Sequence, residues 1–339
     1  MKSRAVRYHE PFDCRLDTID IPAAKDNEIT CRALYSLISA GSECISFRRQ
    51  FDSTMHRCSE LGHPALVGYS MAAEVIAVGK NVKEYKVGDL VYAHSKHMEY
   101  FNIEVGDLVT KIPNYIKPEE ACWITVLRAG LFSAQKAQIK VTDSVVIVGL
   151  GVFGMASLQF ARLMGARRII AVDPISQRTE RAKAFGATHT VTARLQDSFD
   201  TIREICNGED PDSVIDATNQ ADTLAACCNL CRQDGNVVLI ADPPNVNSQC
   251  VSSMTLIKYT NIHGIFIDMM TEAVNFNYPA TTQKVHETIF DMIHHGRIRV
   301  RDMITKFVSP EDVQENYQAL YNDRSDELGV VYDWSCLKD

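Results

Sequence analysis

One stretch constrains this chain more than any other: residues 145–173, VVIVGLGVFGMASLQFARLMGARRIIAVD. Four apolar residues, Val145 to Val148, run straight into Gly149-Leu150-Gly151-Val152-Phe153-Gly154. An apolar-periodic helix pattern follows at Met155, Leu158, Phe160, Ala161 and Met164, and then a second buried strand, Arg168–Val172, ending in Asp173. Strand, glycines, helix, strand and acid stand in the order of a dinucleotide-binding fingerprint, with the acid roughly 20 residues after the last glycine. Each part has a physical task. Gly149 permits a tight turn, Gly151 lets backbone approach a pyrophosphate, and Gly154 lets helix and strand pack closely. The helix start at Val152 and Phe153 offers unpaired N–H groups and a positive dipole end to the phosphates. A glycine-rich turn in an ordinary α/β protein is the bland alternative, and the correctly placed acid argues against it.

Asp173 also says which dinucleotide. A carboxylate at that strand end accepts hydrogen bonds from both hydroxyls of an adenine ribose and repels a 2′-phosphate. Pro174, Ile175 and Ser176 follow, so no arginine stands directly after the strand; Arg178 is the nearest base and within reach of the ribose. The expected cofactor is therefore NAD.

At 339 residues the chain suits about two domains, each with a real core. A net charge of −8 with no basic stripe argues against a nucleic-acid partner. No run approaches the ~18 consecutive apolar residues of a membrane helix. The start, MKSRAVRYHEPFD, lacks the apolar centre of a signal peptide, so a cytoplasmic location is expected. The 11 cysteines are scattered, and in a reducing compartment their default is the free thiol. Cys227, Cys228 and Cys231 fall in one helical pattern, where small buried side chains are needed and core packing is the better reading than a metal site.

Beyond Asp173 the α/β beat continues: a helix over 177–187 closing on Gly186, a strand at THTVTA, a helix at SFDTIREICNG, a strand at 213–218, a helix at QADTLAACCNLCRQ and a strand at 236–242. This alternation predicts a doubly wound parallel sheet with ligands at the carboxyl ends of its strands. Two such ends, Asp216-Ala217-Thr218-Asn219 and Ala241-Asp242-Pro243, are expected on the nicotinamide side. Residues 1–126 differ, with short Val-, Ile- and aromatic-rich runs broken by Gly, Asn and Asp, the mark of antiparallel β structure. After about residue 267 come helices at KVHETIFDMIHHG and SPEDVQENYQALYND and a last strand at LGVVYDW.

These pieces, in this order, resemble the medium-chain dehydrogenase/reductase superfamily, the zinc alcohol dehydrogenase relatives. The likeness runs through AAEVIAVGKNVKEYKVGDLVYA, IVGLGVFGMASLQFARLMGARRIIAVD, KAFGATHTV and HHGRI. It implies an α/β chain with a GroES-like β-barrel catalytic domain from residues 1–126 and 268–339, and a Rossmann dinucleotide domain at 127–267 inserted between them. It further implies a cleft between the domains, and a homodimer or homotetramer built through the sheet edge around Ile262–Met269.

The departures are as informative. Where zinc-bearing members keep a cysteine, a Gly-His-Glu histidine and a third ligand, this chain has Ala40 in Ser39-Ala40-Gly41-Ser42-Glu43, Tyr69 in Gly68-Tyr69-Ser70, and a position close to Thr125. Alanine and tyrosine do not belong to an ordinary tetrahedral zinc site. Residues 95–115 hold no cysteine for a structural zinc. A zinc-free member is expected, with no metal residues. Cys44, His56, Cys58, Glu60 and His63 lie in a short span, but their spacing fits no closed or catalytic zinc pattern, and a solvated loop is the better reading.

Without zinc, side chains must take the hydroxyl proton and stabilise the alkoxide. Ser42 occupies the family's Ser/Thr relay position, Tyr69 stands where a ligand was lost, and His94 falls near the substrate pocket by alignment with the family. Glu43 and His97 complete the candidate set. Each also has a plainer reading: Ser42 as a helix cap, Tyr69 as packing, Glu43 as an ion-pair partner of Arg48 or Arg49, and one of the two histidines as a satisfied core residue. The function expected is NAD-dependent oxidation of a secondary alcohol on a sugar, cyclitol or polyol. The alternatives are a quinone or enoyl C=C reductase and a dinucleotide-binding protein without turnover.

Overall fold

The computed structural model describes residues 1–53, 55, 64–106, 108–266 and 281–337. Those residues fall into two compact units, one from residues 1–49, 64–125 and 281–337, the other from 50–53, 55 and 126–266.

In the first unit the Val/Ile/aromatic runs become β1 (Lys2–Glu10), β2 (Asp13–Asp20), β3 (Glu28–Ile38), helix α1 (Ala40–Arg48), β4 (Ala65–Leu66), β5 (Met71–Val78), β6 (Leu90–Ala93), β7 (Tyr100–Glu104), β8 (Val109–Lys111) and the short helix α2 (Pro118–Ala121). One sheet runs β2-β1-β4. An antiparallel bridge between Ala5 and Met98 ties β1 to the segment entering β7, and β7 pairs with β3 in the larger sheet. The two sheets wrap one core, in which Val6, Ile29, Phe47, Val75, Val91 and Phe101 are nearly or wholly buried. The pleat explains the pattern: alternate side chains enter the core, as in β1, where Val6 and Tyr8 are buried while Arg7 and His9 are half-buried.

S-A-G-S-E forms the start of α1, with Ser42, weighed as a helix cap, inside the first turn. Ser39 occupies the N-cap, the Glu43 carboxylate accepts the Ser39 N–H at 2.8 Å, and Arg49 closes the helix in the left-handed region (φ 53°). Residues 50–53 and 55 were expected in the first domain but group with the second unit. Asp52 holds them there: its N–H donates to Pro244 O at 2.7 Å, and its carboxylate accepts Asn247 N–H at 2.8 Å.

The second unit continues from α3 (Ile124–Lys136) through β9 (Ser144–Val148), α4 (Val152–Leu163), β10 (Arg168–Val172), α5 (Ser176–Phe185), β11 (His189–Val191), α6 (Phe199–Ile205), β12 (Ser213–Asp216), α7 (Thr223–Leu230), β13 (Asn236–Leu239), α8 (Met254–Ile257) and β14 (Asn261–Gly264). All six strands are parallel, in the order β11-β10-β9-β12-β13-β14. This is the doubly wound order, and its direction reverses between β9 and β12, where such sheets take ligands. Cys227, Cys228 and Cys231 are fully buried under the sheet, as packing requires.

The chain then returns to the first unit with α9 (Thr282–His294), β15 (Ile304–Val308), α10 (Val313–Asn322) and β16 (Gly329–Asp333); β16 pairs with β3, extending the larger sheet to β15-β16-β3-β5-β6-β8. Among the described residues no helix is long and apolar enough to cross a membrane.

The tightest point of the fold is Gly154, where a Cβ would overlap the carbonyl oxygen of Gly149. Gly154→Ala should therefore lower stability by about 2 kcal/mol or more, read as a shifted midpoint in urea unfolding. An unchanged midpoint would mean that this approach is looser than it looks.

Candidate active site

In the second unit the glycine run leaves β9 and turns into α4. Gly149 has φ +84°, a conformation that L side chains avoid, and a Cβ there would also press on Thr218 Cγ2 at 2.9 Å. Gly151, by contrast, faces open space: nothing lies within 4 Å of where its Cβ would be. It caps α4 without a side-chain hydrogen bond, and the helical ladder begins with Met155 N–H to Gly151 O at 2.9 Å. The N–H groups of Val152, Phe153 and Gly154 precede that ladder, so an open, backbone-lined cradle stands at a helix N-terminus. Those features fit a dinucleotide pyrophosphate.

Carboxylates flank the turn on both neighbouring strands. Asp173, at the end of β10, is buried, and accepts Leu150 N–H at 2.8 Å and Ile175 N–H at 2.9 Å. Arg178 lies 3.6 Å from the same carboxylate. With about four lone-pair positions, the Asp173 carboxylate keeps capacity for a ribose hydroxyl while it braces the turn.

Asp216 ends β12, on the other side. Its Oδ1 accepts the Thr218 N–H at 2.8 Å and the Thr218 hydroxyl at 2.7 Å. Burial pushes its carboxyl up to about 7, against the lowering effect of those two bonds. Ala217, Thr218 and Asn219 beyond it are half-buried, as are Ala241 and Asp242 after β13. The sequence placed Asp216 among the strand-end residues of the nicotinamide side without giving it a role of its own; its burial and its Thr218 contacts cannot be read from a strand end in a sequence.

In the first unit, Tyr69 and His94 meet. Their rings stack at 6.0 Å between centroids and 20° between planes, and both residues are half-buried. The Tyr69 carbonyl accepts the Thr125 hydroxyl at 3.4 Å, and Thr125 Oγ1 lies 2.7 Å from Tyr92 OH. Leu37 N–H donates to Ser70 O at 3.1 Å, so the end of β3, which leads into Ser39 and Ala40, runs beside the Gly68–Ser70 segment. Three positions at which the sequence suggested lost zinc ligands thus belong to one neighbourhood. Ser42 sits half-buried in the first turn of α1.

Glu43 and His97, also expected as catalytic, lie deeper than Ser42, Tyr69 and His94: Glu43 is 3 % exposed and His97 fully buried. They form a polar core. His97 Nε2 lies 3.3 Å from Glu43 Oε2, which also accepts the Tyr317 hydroxyl; His97 Nδ1 lies 2.8 Å from Ser36 Oγ, which accepts Trp334 Nε1–H at 2.9 Å. Burial alone would raise the Glu43 carboxyl; the charge and hydrogen bond of His97, with Tyr317 and the Ser39 N–H, hold it below its usual range. Neither Arg48 nor Arg49 forms an ion pair with it among the described residues, contrary to the simpler structural expectation. This pair fixes the neighbours of the candidate residues. Glu43 follows Ser42, and Gly68 (φ +96°) presses on the His97 ring so closely that a Cβ would come within 2.6 Å.

A sequence profile described as "Zinc-binding dehydrogenase" matches residues 152–293. An uncharacterized zinc-type alcohol dehydrogenase-like protein of Escherichia coli K12 is 23 % identical over 98 % of this chain and 99 % of its own. Sorbitol dehydrogenase of Bacillus subtilis is 22 % identical over 78 % of this chain and 82 % of its own. Among solved structures, an E. coli oxidoreductase/dehydrogenase of unknown specificity involved in membrane biogenesis superposes with TM-score 0.83 at 19 % identity, covering 98 % of this chain and 99 % of that one. The chain is thus similar to zinc-type alcohol dehydrogenases, through the profile over residues 152–293 and, at 22–23 % identity, over most of its length, and it shares the fold of that solved dehydrogenase. Two other likenesses carry cofactor: a Sinorhizobium meliloti dehydrogenase bound to NADP (TM-score 0.78, 19 % identity, 98 % and 99 % covered) and an alcohol dehydrogenase of E. coli CFT073 complexed with NADH (TM-score 0.79, 17 % identity, 98 % and 99 % covered).

Whether zinc could sit here turns on donor chemistry. Ala40 has no side-chain donor atom, and Tyr69 and Thr125 offer hydroxyls where zinc prefers thiolate and imidazole. That set does not fit zinc. Among the described residues no three His, Cys, Asp or Glu groups stand close enough to hold a metal ion. Cys44 is buried and its thiol pushed up to about 12 by that burial; His56, Cys58, Glu60 and His63 lie outside the described residues.

The Glu43–His97 pair makes a stability prediction with a definite sign. A carboxyl held below its usual range contributes stability at neutral pH and loses it as pH falls through its folded value. Glu43→Gln should cost about 3 kcal/mol at pH 7, and the gap to wild type should narrow below about pH 4. Denaturant unfolding across pH tests this; a gap constant with pH would contradict the buried charge pair.

Proposed function

We propose that this chain is a zinc-independent, NAD(H)-linked oxidoreductase interconverting a secondary alcohol and a ketone on a sugar, cyclitol or polyol. The observation that carries the reading is the stacked Tyr69–His94 pair at the position of a lost metal ligand. The similarity to a sorbitol dehydrogenase supports the polyol class. The preference for NAD(H) rests on Asp173: a carboxylate there repels a 2′-phosphate, and Arg178, the cation that would welcome one, already pairs with it.

When bound, the nicotinamide ring supplies the hydride acceptor. The chain must then supply a base for the hydroxyl proton and hydrogen-bond donors for the oxygen that becomes negative. His94 takes the proton during oxidation and returns it during reduction, since an imidazole serves as base and acid near neutrality. The Tyr69 hydroxyl, held on a ring stacked against His94, donates to the developing alkoxide, and Ser42 provides the second hydroxyl. Glu43 and His97 act behind them, fixing the backbone of α1 and of Gly68-Tyr69.

A screen of polyols and sugars with NAD+ tests the reading: NADH should appear and its rate should rise with pH as the alcohol proton leaves more easily. His94→Asn should lower kcat by about 100-fold and Tyr69→Phe by about 10-fold, with NADH affinity little changed. NADPH consumption with quinones or enones, and no alcohol oxidation, would replace this reading with C=C reduction. Tight NADH binding with neither activity would replace it with a binding role.

The partner we propose is a second copy of the chain, giving a dimer or tetramer. Among the described residues β14 is one edge of the parallel sheet, with Ile262 on it and Phe266 two residues past its end exposed at 37 % and 36 %; residues 267–269 of the expected edge lie outside the described residues. An open strand edge with exposed apolar side chains invites pairing. Sedimentation equilibrium should give at least a dimer, and Ile262→Lys should shift it toward monomer; a monomeric wild type would overturn the assembly.

A further inference from the structure

Asp216 carries an inference beyond the fold and the chemistry just described, and it rests on the reading that the chain binds a nicotinamide dinucleotide. β10 and β12 lie on either side of β9, so the turn that leaves β9 is gripped from both. From β10, Asp173 holds Leu150 N–H. From β12, Ala217 N–H reaches Val148 O at 2.8 Å, the Ala217 carbonyl oxygen stands 3.0 Å from where a Gly149 Cβ would be, and the Thr218 methyl crowds the same point. Thr218 is held in turn by Asp216, through both its N–H and its hydroxyl. Unlike Asp173, Asp216 has no cationic partner among the described residues and is 3 % exposed.

We propose that Asp216 is a positioning residue for the dinucleotide, and that its proton governs how tightly the glycine turn accepts the pyrophosphate. Neutral Asp216 anchors Thr218 without adding charge. Ionised, it puts an uncompensated negative charge under a turn that must receive two phosphates, at low dielectric. The groups facing it do not relieve this. Asp222, ahead of α7, raises the carboxyl further. Cys227 on α7 is a thiol pushed far up by burial, Thr218 and Thr223 bring hydroxyls, and across the turn stands Asp173, another acid. Burial brings the Asp216 proton into the physiological range, at about 7. Linkage then sets the sign: an anion and a proton that bind the same locus favour each other, so affinity falls as pH rises and binding takes up a proton.

NADH titrations by fluorescence between about pH 6 and pH 8.5 should show affinity weakening about five-fold in wild type. Asp216→Asn should remove that dependence and keep the tighter value, whereas Thr218→Val, which retains the methyl packing and loses the hydroxyl, should weaken binding at both ends. A flat wild-type profile, or a dependence that survives in Asp216→Asn, overturns the proposal. Should Asp216→Asn not fold, calorimetry of wild type in buffers of different ionisation enthalpy decides: net proton uptake on NADH binding near pH 7 supports the proposal, and none overturns it. Failure to bind NADH or NADPH at any pH would instead overturn the dinucleotide reading itself.

Discussion

The close approach of Gly154 to the Gly149 carbonyl is the constraint on which the rest of the second unit depends. Because no side chain fits there, α4 can start directly over the end of β9. The same closeness leaves the first N–H groups of α4 around the open face of Gly151, and lets Ala217 and Thr218 from β12 pack under the turn. The parallel strand order then places this turn at the switch between β9 and β12, with an acid ending each flanking strand. The two acids are not equivalent. Both are buried, but Asp173 accepts backbone N–H groups beside Arg178, whereas among the described residues the Asp216 carboxylate bonds Thr218 and has no cation beside it. One therefore suits recognition of hydroxyls, the other the setting of the turn.

The first unit is organised around a buried carboxylate–imidazole pair, Glu43 and His97. A buried carboxylate and imidazole are costly to desolvate, and replacing such a pair by apolar residues often stabilises a protein. Here the pair joins four segments through specific bonds: α1 through Ser39 and Glu43, β3 through Ser36, α10 through Tyr317, and the Trp334 turn through the same Ser36. Hydrophobic packing alone would leave Gly68-Tyr69 and the first turn of α1 free to shift by fractions of an ångström. Catalytic hydrogen bonds do not tolerate such shifts well.

Much of this was legible in the sequence where the signal is local. The strand–glycine–helix–strand run around Gly149 and Asp173, the helix closing on Gly186, and the short strands of the first 111 residues follow from periodicity and turn chemistry, which act over a few residues. The sequence offered Ser42 as a helix cap, but the cap falls at Ser39, whose N–H is held by Glu43; the contacts of Glu43 with His97 and Tyr317, 54 and 274 residues away, could not be read locally. Residues 50–53 and 55 went with the wrong unit because one side chain, Asp52, binds a loop nearly 200 residues later, at Asn247, 195 residues away. Asp216 was placed at a ligand-side strand end but given no role of its own, because a strand-end acid gives no sign of its burial. Tyr69 and His94 were chosen separately, one from a missing ligand and one from alignment with the family; that their rings stack is a fact of tertiary structure.

In the function we propose, hydroxyl and imidazole groups handle the substrate oxygen in place of a metal. Ala40, Tyr69 and Thr125 make the point chemically, since the first has no donor atom and the other two are poor zinc ligands. The most direct measurement is the zinc content of the purified protein, grown in zinc-supplemented medium and analysed by mass spectrometry alongside its turnover. The account predicts an active protein with less than about a tenth of an equivalent of zinc per chain. About one full equivalent, lost together with activity on chelation and restored by zinc, would contradict it.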